Sequence, residues 1–116
     1  MNPQPTHSTP TARIGCYTQV NPNDIVRLEA ERNYTRIYQS NGKDFLVART
    51  LKLVEEDLEE HAPLLRLNRK DVINLKYAQE FSQAGIIVMA NRSVLSVSRR
   101  RFKITMDLLR RHFNYY

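Results

Sequence analysis

Asn41-Gly42 lies between two β-rich runs, Tyr34 to Gln39 and Asp44 to Thr50. The first run holds Tyr34, Thr35, Ile37 and Tyr38, and the second holds Phe45, Leu46 and Val47. An Asn-Gly pair in that setting is the strongest short-range hairpin signal, and it predicts positive φ at both turn positions. A hairpin here fixes two antiparallel neighbours, and the other segments must be placed around them. Upstream, Ile25 to Ala30 alternates as a strand with one buried face, and Glu31-Arg32-Asn33 is a polar break. Before that, Asn21-Pro22-Asn23-Asp24 is turn chemistry, and Ile14 to Val20 is either a short first strand or a lead-in loop.

Downstream, Leu65/Leu67 and Val72/Ile73 flank the polar run Asn68-Arg69-Lys70-Asp71. That pattern reads as a strand, an exposed basic corner and a buried return. Leu75, Tyr77 and Ala78 suggest a short turn or a 3₁₀ piece. Glu80 to Gln83, Ile86 to Met89 and Val94 to Val97 read as three further strands, separated by Ala84-Gly85 and Ala90-Asn91-Arg92-Ser93.

Two segments carry helical spacing. Thr50 can cap a helix running to about Glu60, with Leu51, Val54 and Leu58 on its inner stripe and Leu53 widening it. Glu55, Glu56, Asp57, Glu59 and Glu60 make its other face acidic, a solvated face expected to point away from any polyanion. A second helix is expected over 99–113, with Phe102, Met106, Leu109 and Phe113 as core and Ile104 and Leu108 beside them. Ser98 is a good N-cap for it. Arg99, Arg100 and Arg101 would then occupy its first turn, where each cation costs roughly 0.3–1 kcal/mol against the dipole. Either an anion is placed there, since helix N-termini bind phosphate, or the stretch is a solvated basic turn.

The formal charge of +6 and pI near 9.8 suit a polyanionic partner, nucleic acid before an anionic membrane surface. The single cysteine, Cys16, allows no internal disulfide and reads as a small strand residue. No apolar run approaches a membrane span, and the start has no signal-peptide core, so a cytoplasmic protein without membrane contact is expected. Pro3, Pro5 and Pro10 mark residues 1–13 as a disordered tail, leaving 14–116 as one domain. The three glycines form no phosphate loop, and His7, His61 and His112 have no metal-ligand spacing. Without a nucleophile–base grouping either, no enzyme, metal or cofactor is expected.

Three stretches, in order, resemble the LytTR-type DNA-binding domain, the β-rich output domain of many bacterial transcriptional regulators. They are Ile25-Val26-Arg27-Leu28-Glu29-Ala30-Glu31-Arg32-Asn33-Tyr34, Leu65-Arg66-Leu67-Asn68-Arg69-Lys70-Asp71-Val72-Ile73-Asn74, and Leu95-Ser96-Val97-Ser98-Arg99-Arg100. The second is similar to the family's aromatic-x-Arg-Ile-His-Arg-Ser…Val-Asn signature, with Asn68 for its frequent His and Lys70 for its frequent Ser. The resemblance implies a mainly β fold: an elongated stack of small antiparallel sheets with two helices, about 50–60 and 99–113. It implies that loops, not a recognition helix, enter the major groove of double-stranded DNA. The contact regions it implies are Ser98, Arg99, Arg100 and Arg101, then Asn68, Arg69 and Lys70, then Asn33 and Tyr34. Arg100 is the base reader it favours. It also implies direct-repeat sites, with two protomers on one site as a possible homodimer. No receiver domain precedes residue 14, so the chain is expected to be stand-alone, with any signal coming from a separate protein. Two rivals remain: a non-sequence-specific binder of RNA or single strands, with Tyr34 and Tyr38 stacking bases, and a protein-interaction adaptor.

Overall fold

The computed structural model describes residues 10–114. Strands β1 (Ala12–Ile14) and β2 (Thr18–Val20) form a small hairpin. A 3₁₀ turn, Pro22–Asp24, leads into β3 (Ile25–Glu31), β4 (Tyr34–Gln39) and β5 (Asp44–Val47). Helix α1 (Leu51–Leu58) follows, then β6 (Leu64–Arg66) and β7 (Asp71–Asn74). A second 3₁₀ turn, Leu75–Tyr77, opens β8 (Ala78–Phe81), β9 (Ile86–Met89) and β10 (Val94–Ser96), and α2 (Phe102–His112) closes the fold. The central sheet has the order β5-β4-β3-β7-β6, and the third sheet β10-β9-β8. Every pairing is antiparallel. The molecule is an elongated stack of 53 × 34 × 23 Å.

The central sheet is buried on both faces, and β3 is buried from Ile25 to Leu28 and β7 along its whole length. On one face Leu28, Ile37 and Val72 pack with Ile14 of β1 and with Leu51, Val54 and Leu58 of α1. On the other, Val26 and Ile73 pack with Ile87 and Met89 of the third sheet and with Met106 and Leu109 of α2. A register shift between Ile25 and Arg27 bends β3. That irregularity lets the consecutive Val26 and Arg27 both serve the face toward the third sheet.

Several expectations shift. Ala12 and Arg13 belong to β1, so ordered structure begins before residue 14; residues 1–9 of the expected tail lie outside the described residues. Cys16 is an exposed turn residue between β1 and β2 rather than a strand residue. Strand β8 starts two residues early because it leaves the 3₁₀ turn directly, while Ser82 and Gln83 enter the turn closed by Gly85 N–H on Ser82 O. The Asn41-Gly42 hairpin exists, but only Gly42 has positive φ. Gly42 N–H bonds Gln39 O at 3.1 Å, so Ser40 and Asn41 are the turn centre and Gly42 is the left-handed residue after it. The tight two-residue turn is instead Arg32-Asn33, closing Glu31 against Tyr34, with Arg32 at φ 58°.

The helices differ at their ends. Thr50 precedes α1 without a side-chain capping bond. Helix α2 begins at Phe102, three residues later than expected. Its buried face is Thr105, Met106 and Leu109. At 100° per residue, Ile104 and Leu108 fall on the opposite side from Phe102, and both are exposed.

Candidate nucleic-acid interface

Hydrogen bonds chain three loops side by side. Ala30 N–H donates to Lys70 O at 2.8 Å, tying the end of β3, just before its turn into β4, to the β6–β7 corner. Ser98 N–H donates to Leu67 O at 3.0 Å, and Asn68 Nδ2 to Ser96 O at 2.8 Å. These two bonds tie the corner to the segment between β10 and α2. The resemblance named these three regions, and the fold brings them together.

Ser98 is not an N-cap. Arg99, Arg100 and Arg101 lie in successive turns before α2, closed by Arg101 N–H on Ser98 O and Phe102 N–H on Arg99 O, each 3.2 Å. Arg101 takes the cap position, without a side-chain bond. All three arginines are exposed. Arg69 is exposed too, and neither it nor the three has an ion partner among the described residues. Lys70 is exposed, 3.5 Å from Glu29. Asn33 and Tyr34 are exposed on the tight turn beside this corner.

Asn68 departs from its expected base-reading role. Its Oδ1 accepts from Lys70 N–H at 2.8 Å and Asp71 N–H at 2.9 Å. Its Nδ2 donates to Asp71 Oδ2 at 3.1 Å as well as to Ser96 O. It builds the corner rather than offering free groups from it.

Sequence reasoning missed Arg66 and Arg32. Arg66 Nε donates to Asn68 O at 2.7 Å and Nη2 to Arg69 O at 2.8 Å, while Nη1 holds Glu55 at 2.9 Å. It thereby bolts the corner onto α1. No pattern in the sequence distinguishes it from the exposed arginines. Arg32 is an exposed cation on the tight turn, and the exact two-residue spacing between Glu31 and Tyr34 was its only signal.

The acidic face of α1 is neither wholly solvated nor remote. Glu55 pairs with Arg66. Asp57 accepts from Arg49 Nε at 2.6 Å and from Gly15 N–H at 3.0 Å. Burial alone would raise the Asp57 pKa, but the bonds from Arg49 and Gly15 outweigh it and hold the carboxyl below its ordinary value. Glu55, Glu56 and Glu59 share an open trough of about 450 Å³ with Lys52, Arg66 and Arg101. The helix therefore borders the arginine turn.

Tyr38 is not available for base stacking. Its ring lies 3.9 Å beneath the Arg27 guanidinium, and its hydroxyl donates to Glu29 at 2.7 Å. Burial, and then the bond to Glu29, push its pKa up. Beyond it, Arg36 pairs with Glu31 and Asp44, which holds the Glu31 carboxyl below its usual range through the Arg36 hydrogen bond. Among the described residues no cluster of His, Cys, Asp or Glu could hold a metal ion, and no helix is long and apolar enough to cross a membrane.

The cross-tied, cation-rich loops along one edge define the class: a mainly β module with a basic edge. Residues 15–110 match the LytTr DNA-binding domain family, and the chain belongs to it. This is a non-catalytic family of DNA-binding domains acting in transcriptional regulation. Among solved structures, the fold is similar to the LytTr DNA-binding domain of a protein from Bacillus cereus described as a methyl-accepting/DNA response regulator. That structure has a TM-score of 0.64 at 16% identity, over 89% of this chain and 94% of that one. No curated protein matches.

Proposed function

We propose that the chain binds double-stranded DNA sequence-specifically, by setting the Asn68–Lys70 corner and the Ser98–Arg101 turn into the major groove. The observation that carries this is the group Arg69, Arg99, Arg100 and Arg101, exposed and without ion partners on loops tied to one another. An arginine fork matches guanine O6 and N7, so Arg69 and Arg100 are the base readers. Lys70, Arg99, Arg101 and Arg32 contact phosphates, and Asn33 and Tyr34 border the same strand. Two protomers occupy a direct-repeat site, and a separate signalling protein controls occupancy in the cytoplasm.

The test is a titration of a duplex selected from a random pool against random duplex and single strands, over a salt series. Arg69→Ala is expected to relax one base position at a cost of about 1–3 kcal/mol, while Lys70→Ala weakens all duplexes alike. Equal loss on selected and random duplex for Arg69→Ala refutes the base-reading role. Tighter binding of single strands than duplex refutes the whole reading.

A further inference from the structure

Asn68 has no hydrogen-bonding capacity left for a base. An asparagine amide offers two donors and two acceptor lone pairs, and all four are taken by Asp71 Oδ2, Ser96 O, Lys70 N–H and Asp71 N–H. The two backbone donors fix which end of the amide is oxygen. Behind Asn68 the network continues inward. Asp71 is 5% exposed, and its Oδ1 lies 3.5 Å from Arg27 Nη1. Arg27, 9% exposed, also donates to Ser93 Oγ at 3.1 Å in the β9–β10 connection and lies over the Tyr38 ring. A buried carboxylate and guanidinium persist only when paired and hydrogen-bonded, so each member holds the next in one geometry.

We infer that Arg27, Asp71 and Asn68 form a positioning relay. It sets the β6–β7 corner and the β10–α2 segment in fixed relation, so that Arg69 and the arginine turn meet one groove together. Asp71 and Arg27 are too buried to touch DNA, and Asn68 acts through the Ser96 carbonyl rather than through a base edge. The inference rests on the DNA-binding reading above for its functional consequence, but the mechanical coupling is a property of the free protein.

The test uses Asp71→Asn and Asn68→Ser in the full chain, with two readouts. The first is amide exchange in the free protein. Both variants are expected to speed exchange at Ser98 N–H about tenfold, the loss of one hydrogen bond of ordinary strength, while Ile87 and Met89 stay as protected as in the parent. The second is the base-preference profile from a random duplex pool. Both variants are expected to flatten several positions at once and lower the ratio of selected to random affinity about tenfold. The double variant should be no worse than either single change, because the residues act as one unit. The relay is overturned if Ser98 exchange is unchanged. It is also overturned if Asn68→Ser relaxes a single position while Asp71→Asn relaxes none, since Asn68 would then read a base directly. Should Asp71→Asn fail to fold, Asn68→Ser decides alone, because serine can keep the local turn bond but cannot reach Ser96. A parent with no base preference would refute the proposed function, and exchange would still decide on the relay.

Discussion

Gly42 and Gly85 hold nearly the same left-handed backbone, φ +86° and +85°, in opposite surroundings. An alanine Cβ at Gly42 would meet nothing within 4 Å. Gly42→Ala therefore isolates the backbone term. A left-handed alanine costs about 1–2 kcal/mol, offset in part by a stiffer unfolded chain, for a net loss of about 1 kcal/mol. At Gly85 the same Cβ would lie 2.8 Å from Phe102 Cε1 and 3.5 Å from Val97 Cβ. Carbon atoms prefer 3.5–4.0 Å, so the ring must give way by roughly 0.7 Å or more. Phe102 packs on the core between the central sheet and α2, and overpacking there adds about 1–3 kcal/mol. Gly85→Ala should thus lose about 2–4 kcal/mol, with part of that returned by adding Phe102→Leu. Urea unfolding measures both variants, and unchanged m-values certify that stability alone has moved. Phe102 directly follows Arg101, so Gly85→Ala should also weaken duplex binding while Gly42→Ala leaves it alone. Equal stability losses at the two glycines would show that the Phe102 contact yields freely, and the steric reasoning would be wrong.

The depressed Asp57 pKa gives a signed acid dependence: its stabilisation is complete above its ordinary value of 3.8 and is lost as pH falls through the lower folded value. Asp57→Asn should cost about 1–2 kcal/mol at neutral pH and flatten the stability loss below about pH 4; urea midpoints that fall in parallel with the parent's would refute this. Glu56→Gln with Glu59→Gln should leave base preference unchanged and tighten all duplexes several-fold at low salt, by removing repulsion beside Arg101; a new preferred base would show that α1 touches the groove. Arg99→Ala should lower the salt slope by about one, Arg101→Ala by less, because carboxylates of the trough already offset its charge, and Arg100→Ala should instead lose base preference. Equal slopes for Arg99→Ala and Arg101→Ala would contradict that ordering.

The strand pattern was legible because a half-buried or buried strand writes its burial into the sequence. Ile25 to Ala30 and Leu65 to Asn74 both landed where apolar spacing put them. What failed was chemistry that one residue type performs in several ways. Asn41-Gly42 marks a turn, but Gln39 N–H bonding Lys43 O leaves three residues between, so a single left-handed position is enough. Ser98 followed by a helical stripe looks like a cap, yet the hydrogen bond that matters is its own backbone N–H to Leu67. Asn68 stood in a basic corner and looked like a reader, while its partners Asp71 and Ser96 come from a buried position and from another sheet. Arg27, Arg49 and Arg66 are structural cations that no spacing separates from Arg69 or Arg100, since their carboxylate partners lie 44, 8 and 11 residues away.

The arginine turn shows how the fold resolves an apparent electrostatic error. Three cations inside the first turn of a helix would oppose its dipole. The chain lessens that cost by starting α2 only at Phe102, so that Arg99 and Arg100 precede the helix and only Arg101 sits at its cap. The cations within α2 that match the dipole, Arg110 and Arg111, are in its last turn, where positive charge is favoured. What points to a polyanion is the pairing pattern: the arginines that brace the fold each hold a carboxylate, as Arg27, Arg36, Arg49 and Arg66 do. Arg69, Arg99 and Arg100 stay exposed without one among the described residues, on loops held in place from beneath. Charges kept unpaired on a braced edge retain their full field for a partner outside the chain, and the bracing means that little ordering entropy is lost when that partner binds.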